Sequence, residues 1–405
     1  MLAVTVVSAC LLLGLVLLVY EDPFYRRVAP IALLIHLALG LVVVPALPYV
    51  WDIGYFHVTA VDLLEGVDPD ASDTVIAFAT FQAFLYLVFE PSTSVLAVFN
   101  ALFAVLLPIP ASYVARRLYP SLDSTDGLTV LVLFLPVPAF FTSIPMRDAF
   151  VLLVAFVSLA LLVNGVLDQS VTSVTLAVPL LGILYLIRVE LALLFVLGAV
   201  VGAGTRVVLE STDRELSTST VVGPAAPVFL LGIVLFSRYF PLERLNEQRR
   251  IRMDGGAVYL EGLTYESWID VVLSAPATSI YFQFAPFPLH VDSLFHLVAA
   301  AYTPIVIVLV VSAVRSLWRG NLAYPVVTML VVVYLAGIVG YGLVNSNFGT
   351  TVRHRAFFDF LLVVLAAPVL ERWVRSLSDW IGERPRENND EDEQYGEARK
   401  LYARS

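Results

Sequence analysis

Two arginines and a histidine, Arg353, His354 and Arg355, stand in the stretch NFGTTVRHR from Asn347 to Arg355, between two apolar runs long enough to cross a membrane. Placing Arg at the centre of a membrane helix costs ~2.5–3.5 kcal/mol on insertion scales, so charge this close to hydrocarbon is usually kept for a pathway or a site. A guanidinium offers a planar fork of donors that matches phosphate or carboxylate oxygens better than a point charge does. Gly349, Thr350 and Thr351 add backbone and hydroxyl donors, which makes the stretch a candidate anion nest. The competing reading is a stop-transfer anchor.

Three further groups have the residue types for chemistry. Asp52 follows an apolar run directly in WDIGYFHVTAVDLLEG, with His57, Asp62 and Glu65 close behind. A carboxylate at the interface can accept a proton from an attacking hydroxyl, or hold a divalent cation beside a phosphate; the alternative is a solvated loop. Metal ligation by Asp52, His57 and Asp62 fits no specific spacing. Arg147 and Asp148 form an adjacent pair in PMRD, and Arg188 with Glu190 repeats the type between the next two apolar runs. Each is either a self-neutralising pair or part of an anion site built from several helices. The run Arg249-Arg250-Ile251-Arg252, with Arg238, either covers the same mouth or is a solvated cap face. The segment YFQFAPFPLH, followed by His296, suits headgroup depth, or packing against a lipid chain or a sugar face.

The elements that must position these residues are membrane helices. Hydrophobic residues form 59% of the chain, charged residues 14%, and mean hydropathy is +0.85, which excludes a soluble domain. Net charge is −10, so a nucleic-acid partner is excluded. Cys10 is the single cysteine and leaves no intramolecular disulfide. Val7-Ser8-Ala9-Cys10 has the form of a lipobox, but no positive region precedes it and the apolar run continues to Val19, which favours a first spanning helix. Lys400 is the only lysine beside 23 arginines, and with the acidic loops this resembles the composition of halophilic proteins from GC-rich genomes. No Walker motif, GxSxG elbow, HExxH or dinucleotide fingerprint is present, which disfavours an ATP-driven pump and a serine hydrolase.

About eleven apolar windows approach the ~20 residues needed to span. They run Leu2–Tyr20, Pro30–Val50, Val95–Val114, Leu128–Phe141, Ala149–Val163, Val174–Ile187, Leu191–Leu209, Val221–Phe236, Leu294–Val314, Ala323–Val344 and Ala356–Leu370. A weaker segment, Thr74–Phe89, carries Gln82. Five arginine clusters, around Arg26, Arg116, Arg206, Arg315 and Arg372, fall on one side together only if Thr74–Phe89 does not cross, and the positive-inside rule makes that side cytoplasmic. The expected fold is therefore all-α: a polytopic transmembrane helix bundle with one re-entrant or interfacial segment, the N-terminus outside and the tail inside. The transmembrane domain covers 1–379, with outward loops 51–73, 142–148, 238–293 and 345–355. The loop 238–293 should form a helical cap. The acidic tail 380–405 should be disordered and cytoplasmic.

The order of these features resembles the polytopic glycosyltransferases of the GT-C superfamily and the related O-antigen-type polymerases of surface polysaccharides. The resemblance lies in the acidic outward loop WDIGYFHVTAVDLLEG, the proline-containing pair FLPVPAFFTSIPMRDAF and the late arginine turn NFGTTVRHRAFFDFLLVVLAAP. It implies a lipid-linked saccharide donor entering from the membrane lipid, its phosphate held by Arg353, His354 and Arg355. Arg147, Asp148, Arg188, Glu190 and His57 would line the same substrate site, and Asp52 would be the catalytic base. A divalent cation is a candidate cofactor, and polysaccharide-assembly proteins are candidate partners. The competing functions are a transporter or flippase for an anionic lipid or solute, and a non-catalytic scaffold.

Overall fold

The computed structural model describes residues 1–48, 52–211, 241–253 and 257–382. The expected span Val221–Phe236, the cap residue Arg238 and the tail beyond Gly382 lie outside the described residues. Everything regular among those described is helical: α1 (Leu2–Val19), α2 (Pro23–Ala46), α3 (Ile53–Glu65), α4 (Asp73–Val88), α5 (Thr93–Leu118), the bent pair α6 (Asp126–Phe134) and α7 (Pro136–Ser143), α8 (Asp148–Asp168), α9 (Val171–Ser211), α10 (Leu242–Ile251), α11 (Trp268–Phe284), α12 (Leu294–Arg319), α13 (Tyr324–Val344) and α14 (Phe348–Gly382). In hydrocarbon no water completes the backbone hydrogen bonds, so helices that satisfy them internally are the available spanning form for such runs. Local signals set the ends. Asp22 caps α2 by accepting from the Tyr25 amide at 2.9 Å, and Ser267 with Asp270 forms a capping box on α11. Gly66 ends α3 in the left-handed region, at φ 73°.

Seven of these helices are long and apolar enough to cross a membrane, and the α6–α7 pair, bent by 56°, makes eight when counted as one span. The contacts sort their ends into two layers. At one end, here the base, Arg116 meets Asp22 at 3.7 Å and Arg117 meets Asp168. Arg206 donates to the Val166 carbonyl, the Ala323 amide to the Leu118 carbonyl, and Glu371 accepts from Ser124 and the Leu128 amide. At the other end, the mouth, lie Asp52, Arg147, Arg188, Arg252 and Arg353. Arg188 has non-helical φ/ψ inside α9, and both ends of α9 are at the base, so α9 passes through the bundle twice. α14 runs from the mouth to Glu371 at the base through the centre of the core, with Phe358 to Ala367 all buried.

The chain reaches the mouth at the end of α2 and leaves it again at the start of α5, where Thr93, Ile53 and Pro145 line one cleft. α3 and α4 between them form a helical hairpin, tied by the Phe56–Phe78 rings at 5.3 Å and by His57 bonded to Tyr86. It starts and ends on the same layer. The 13 residues of α3 and 16 of α4 are also short of the ~20 a crossing needs. The expected re-entrant or interfacial segment Thr74–Phe89 is thus the second arm of this hairpin.

Two expectations need correction. The turn 345–355 is shorter than expected, because the helix begins at Phe348 and takes Arg353, His354 and Arg355 into its first two turns. The segment 238–293 is not only a surface cap. α11 packs along α13, burying Val271, Ala275, Thr278 and Phe282, and the close approach of Gly342 to the Thr278 carbonyl leaves no room for a Cβ.

A membrane-impermeant maleimide tests the hairpin. In a Cys10→Ser background, a cysteine at Val67 should label from the side opposite to one at Asp123. Labelling of both from one side would mean that α3 and α4 cross.

Candidate anion site at the mouth

The mouth is organised on Asp148. Its side chain is 6% exposed and holds two guanidiniums: Arg188 Nη2 donates to Oδ1 at 2.9 Å and Arg353 Nε to Oδ2 at 2.7 Å. The three residues come from α8, α9 and α14. Arg188 is there because the α9 helix breaks at it, with φ −150° and ψ 69°, so its side chain points between the two halves toward the N-terminus of α8. Arg353 also reaches outward, with Nη1 3.1 Å from Asp52 Oδ2, whose side chain is 63% exposed.

Further cations surround this triad. Arg147 donates to the Ile187 carbonyl at 3.2 Å and lies over the Phe56 ring, 5.7 Å from its centroid. Burial first, then the Arg188 and Arg353 cations, push the Arg147 pKa down to about 9, so it stays charged at neutral pH in a positive field. Arg252 pairs with Glu190 at 3.7 Å and donates to Asn345 Oδ1. His354 lies within the fields of Arg147, Arg188, Arg252 and Arg353, with its ring 5.3 Å from that of Tyr341. The groups brought together are thus four arginines against Asp52, Asp148 and Glu190, two of which are well exposed. Several polar atoms here are buried without a hydrogen-bond partner: Arg147 Nε, Arg188 Nε, Arg353 Nη2, His354 Nδ1 and Asn345 Nδ2. Leaving such donors unpaired costs roughly 1–3 kcal/mol each, more for charged groups, so this geometry suits an anion with several acceptor oxygens.

Other expected site residues sit elsewhere. Arg355 points away from the mouth into the core, where its Nη1 donates to the Gln283 and Ala285 carbonyls, both at 2.9 Å, and its Nε is 3.5 Å from Asp359. Asp359 also accepts from Gln283 and from Tyr302, each at 3.1 Å. This buried network links α11, α12 and α14, with Arg355 Nη2 and Gln283 Oε1 left without a hydrogen-bond partner. The expected nest at Gly349 to Thr351 is not formed: Asn347 Oδ1 already accepts from the Gly349 and Thr350 amides, and the Thr351 hydroxyl is bonded to Tyr259. His57 bonds Tyr86 instead of the arginines. Burial lowers its pKa, so it is uncharged at neutral pH and adds nothing to the cationic count. Among the described residues no group of three His, Cys, Asp or Glu could hold a metal ion, and the nearest carboxylates, Asp52 and Asp148, already share Arg353.

The turn leading into Asp148 is held by residues the sequence reading passed over. Asn100, buried on α5, donates to the Ile144 and Met146 carbonyls at 2.6 and 2.8 Å and so fixes the PMRD turn. His36 on α2 bridges the Leu133 carbonyl, beside the break at Pro136, to the Ser143 hydroxyl at 2.7 Å. Both were findable, since a lone polar side chain in an otherwise apolar membrane run is a functional candidate by default. The same holds for Asp359 in FFDFLL. No family model, curated protein or solved structure matches this chain. Beside Asp52, between α2, α3 and α5, opens a cleft of about 260 Å³ lined by Leu41, Val44, Ile53, Thr93, Ser94 and Pro145.

The two carboxylates at Arg353 should differ in their weight for folding. Asp148→Asn leaves two buried guanidiniums without their counter-ion and should cost roughly 3–5 kcal/mol. Asp52→Asn removes a solvent-screened pair and should cost about 0–1 kcal/mol. Thermal unfolding in detergent should rank them in that order, and the reverse ranking would contradict the geometry.

Proposed function

We propose that the mouth binds the phosphate of a lipid-linked saccharide, and that the protein is a membrane glycosyltransferase or polysaccharide polymerase using a polyprenyl-phosphate-linked sugar. The observation that carries this reading is the set of buried guanidinium donors left unpaired near Asp148, on Arg147, Arg188 and Arg353. A phosphate would complete their hydrogen bonds and offset the cationic excess. Preorganised cations at the oxygen where charge develops as the sugar–phosphate bond breaks are commonly a large catalytic contribution. Asp52 is placed to act as the base for an acceptor hydroxyl: it is exposed at the rim, beside the cleft lined by Ile53 and Thr93. The orientation follows from charge. The base carries Arg26, Arg27, Arg116, Arg117, Arg206 and Arg372, so we assign it to the cytoplasm, with the mouth, N-terminus and reaction on the outer face of the cell membrane. The resemblance to GT-C enzymes and O-antigen-type polymerases agrees with this reading, and polysaccharide-assembly proteins are the corresponding partners.

A second reading, a transporter or flippase for an anionic lipid or solute, has two observations in its favour. The Arg355–Asp359 pair lies deeper in the bundle than the mouth, and the base holds a cleft of about 660 Å³ lined by Asp22, Arg27, Arg116, Asp123 and Asp126. Against it, α14 from Phe360 to Leu370 is an unbroken run of apolar residues and Pro368 between the two, almost all buried. That offers an anion no stepping stones.

Arg353→Ala should still insert and fold, because Asp148 keeps Arg188, yet its transfer rate should fall by ~10²–10³. The measurement is sugar release from a polyprenyl-phosphate-linked donor in proteoliposomes. Unchanged product formation would refute the site, and flux of the intact lipid without covalent change would favour the transporter.

A further inference from the structure

Asp52 occupies the N-cap position of α3, yet its carboxylate makes no bond to the first turn of that helix. It is drawn instead to Arg353 Nη1 at 3.1 Å, across the mouth on the helix farthest along the chain. An Asp at this position ordinarily accepts from amides two or three residues on. With φ −64° and ψ 10°, however, its backbone lacks the extended conformation from which a capping side chain reaches those amides, so its partners are the arginine across the mouth and solvent. The pair with Arg353 is weak, because the Asp52 side chain is 63% exposed and solvent screens it. The other carboxylate on Arg353 is different: Asp148 is 6% exposed and held by a second arginine, so it cannot leave without stranding buried charge. Meanwhile Arg353 Nη2 is buried and unpartnered next to Nη1.

We propose that the Asp52–Arg353 pair is an intramolecular lock: an anion arriving at Arg353 displaces Asp52 into solvent at the rim, so the carboxylate is uncovered only after the anion has bound. This rests on reading the mouth as a phosphate site. A phosphate meets Arg353 together with Arg147 and Arg188 and outcompetes one screened carboxylate, whereas Asp148 stays as the fixed post on which both arginines turn. The consequence is an order of addition. The phosphorylated donor binds first, and the base is freed for the acceptor hydroxyl second, which protects the empty mouth from idle proton transfer.

The test uses the full chain in nanodiscs with inorganic pyrophosphate as the probe, titrated by calorimetry. Asp52→Asn removes the competitor and should bind pyrophosphate about fivefold more tightly, the equivalent of ~1 kcal/mol for a screened pair. A second measurement does not depend on affinity. Gly54 has open space at its Cβ position, so a nitroxide on Gly54→Cys in the Cys10→Ser background should report a change at the start of α3 when pyrophosphate is added. The same label should stay silent in the added presence of Asp52→Asn. Equal or weaker pyrophosphate binding by Asp52→Asn, or a silent label in the parent, overturns the lock while leaving the phosphate site standing. Absence of pyrophosphate binding by the parent chain overturns both.

Discussion

Two guanidiniums on one buried carboxylate decide how this end of the bundle is built. Removing a charge from water is expensive enough that Arg188 and Arg353 are carried inside with Asp148 between them, and Asp148 is carried inside with at least one guanidinium on it. The starts of α8 and α14 and the break in the middle of α9 are thereby forced to meet. The meeting has a cost in regularity: α9 must break at Arg188, and the turn before α8 must be held by Asn100. The arrangement also leaves charge unbalanced, because one carboxylate serves two cations and Arg147 adds a third in the same field. A purely structural triad could have been closed with a second buried acid. The partners that complete the count, Asp52 and Glu190, are instead at the rim, where an incoming anion can replace them.

Much of this was legible in the chain. Helix length and apolar composition show a polytopic helical bundle directly, while the helix α3 inside the segment 51–73, read as a loop, was not foreseen. The gathering of Asp52, Arg147, Asp148, Arg188, Glu190 and Arg353 followed from the same side assignment. The assignment of partners within the group did not follow. In sequence, Arg147-Asp148 and Arg188 with Glu190 read as two local pairs. In space they are exchanged, Arg188 to Asp148 and Glu190 to Arg252, because adjacent residues at a helix start point in different directions.

The NFGTTVRHR stretch shows where a linear reading of a motif fails. Arg353 and Arg355 look equivalent on paper, but two residues on a helix differ by about 200°. One faces the mouth; the other lies in the core and serves the carbonyls that end α11. Gly349 and Thr350 resemble an anion nest only if their amides are free, and the Asn two positions earlier already caps them. Recognising Asn347 as a helix cap would have predicted both the early helix start and the loss of the nest. His57 was likewise drawn away by a partner that proximity in sequence could not reveal, the Tyr86 hydroxyl on the opposite arm of the hairpin.

α14 also separates the two ends electrically. Its first turns carry the cations of the mouth, Asp359 is neutralised in place by Arg355, Gln283 and Tyr302, and Glu371 is spent at the base on Ser124 and the start of α6. Between Asp359 and Glu371 the helix has no polar side chain and is packed on nearly all sides. An anion held at the mouth therefore faces low dielectric on its inner side and water or headgroups on its outer side. That asymmetry strengthens every hydrogen bond to it without giving it a route through. Such a site favours chemistry on one face of the membrane over passage across it.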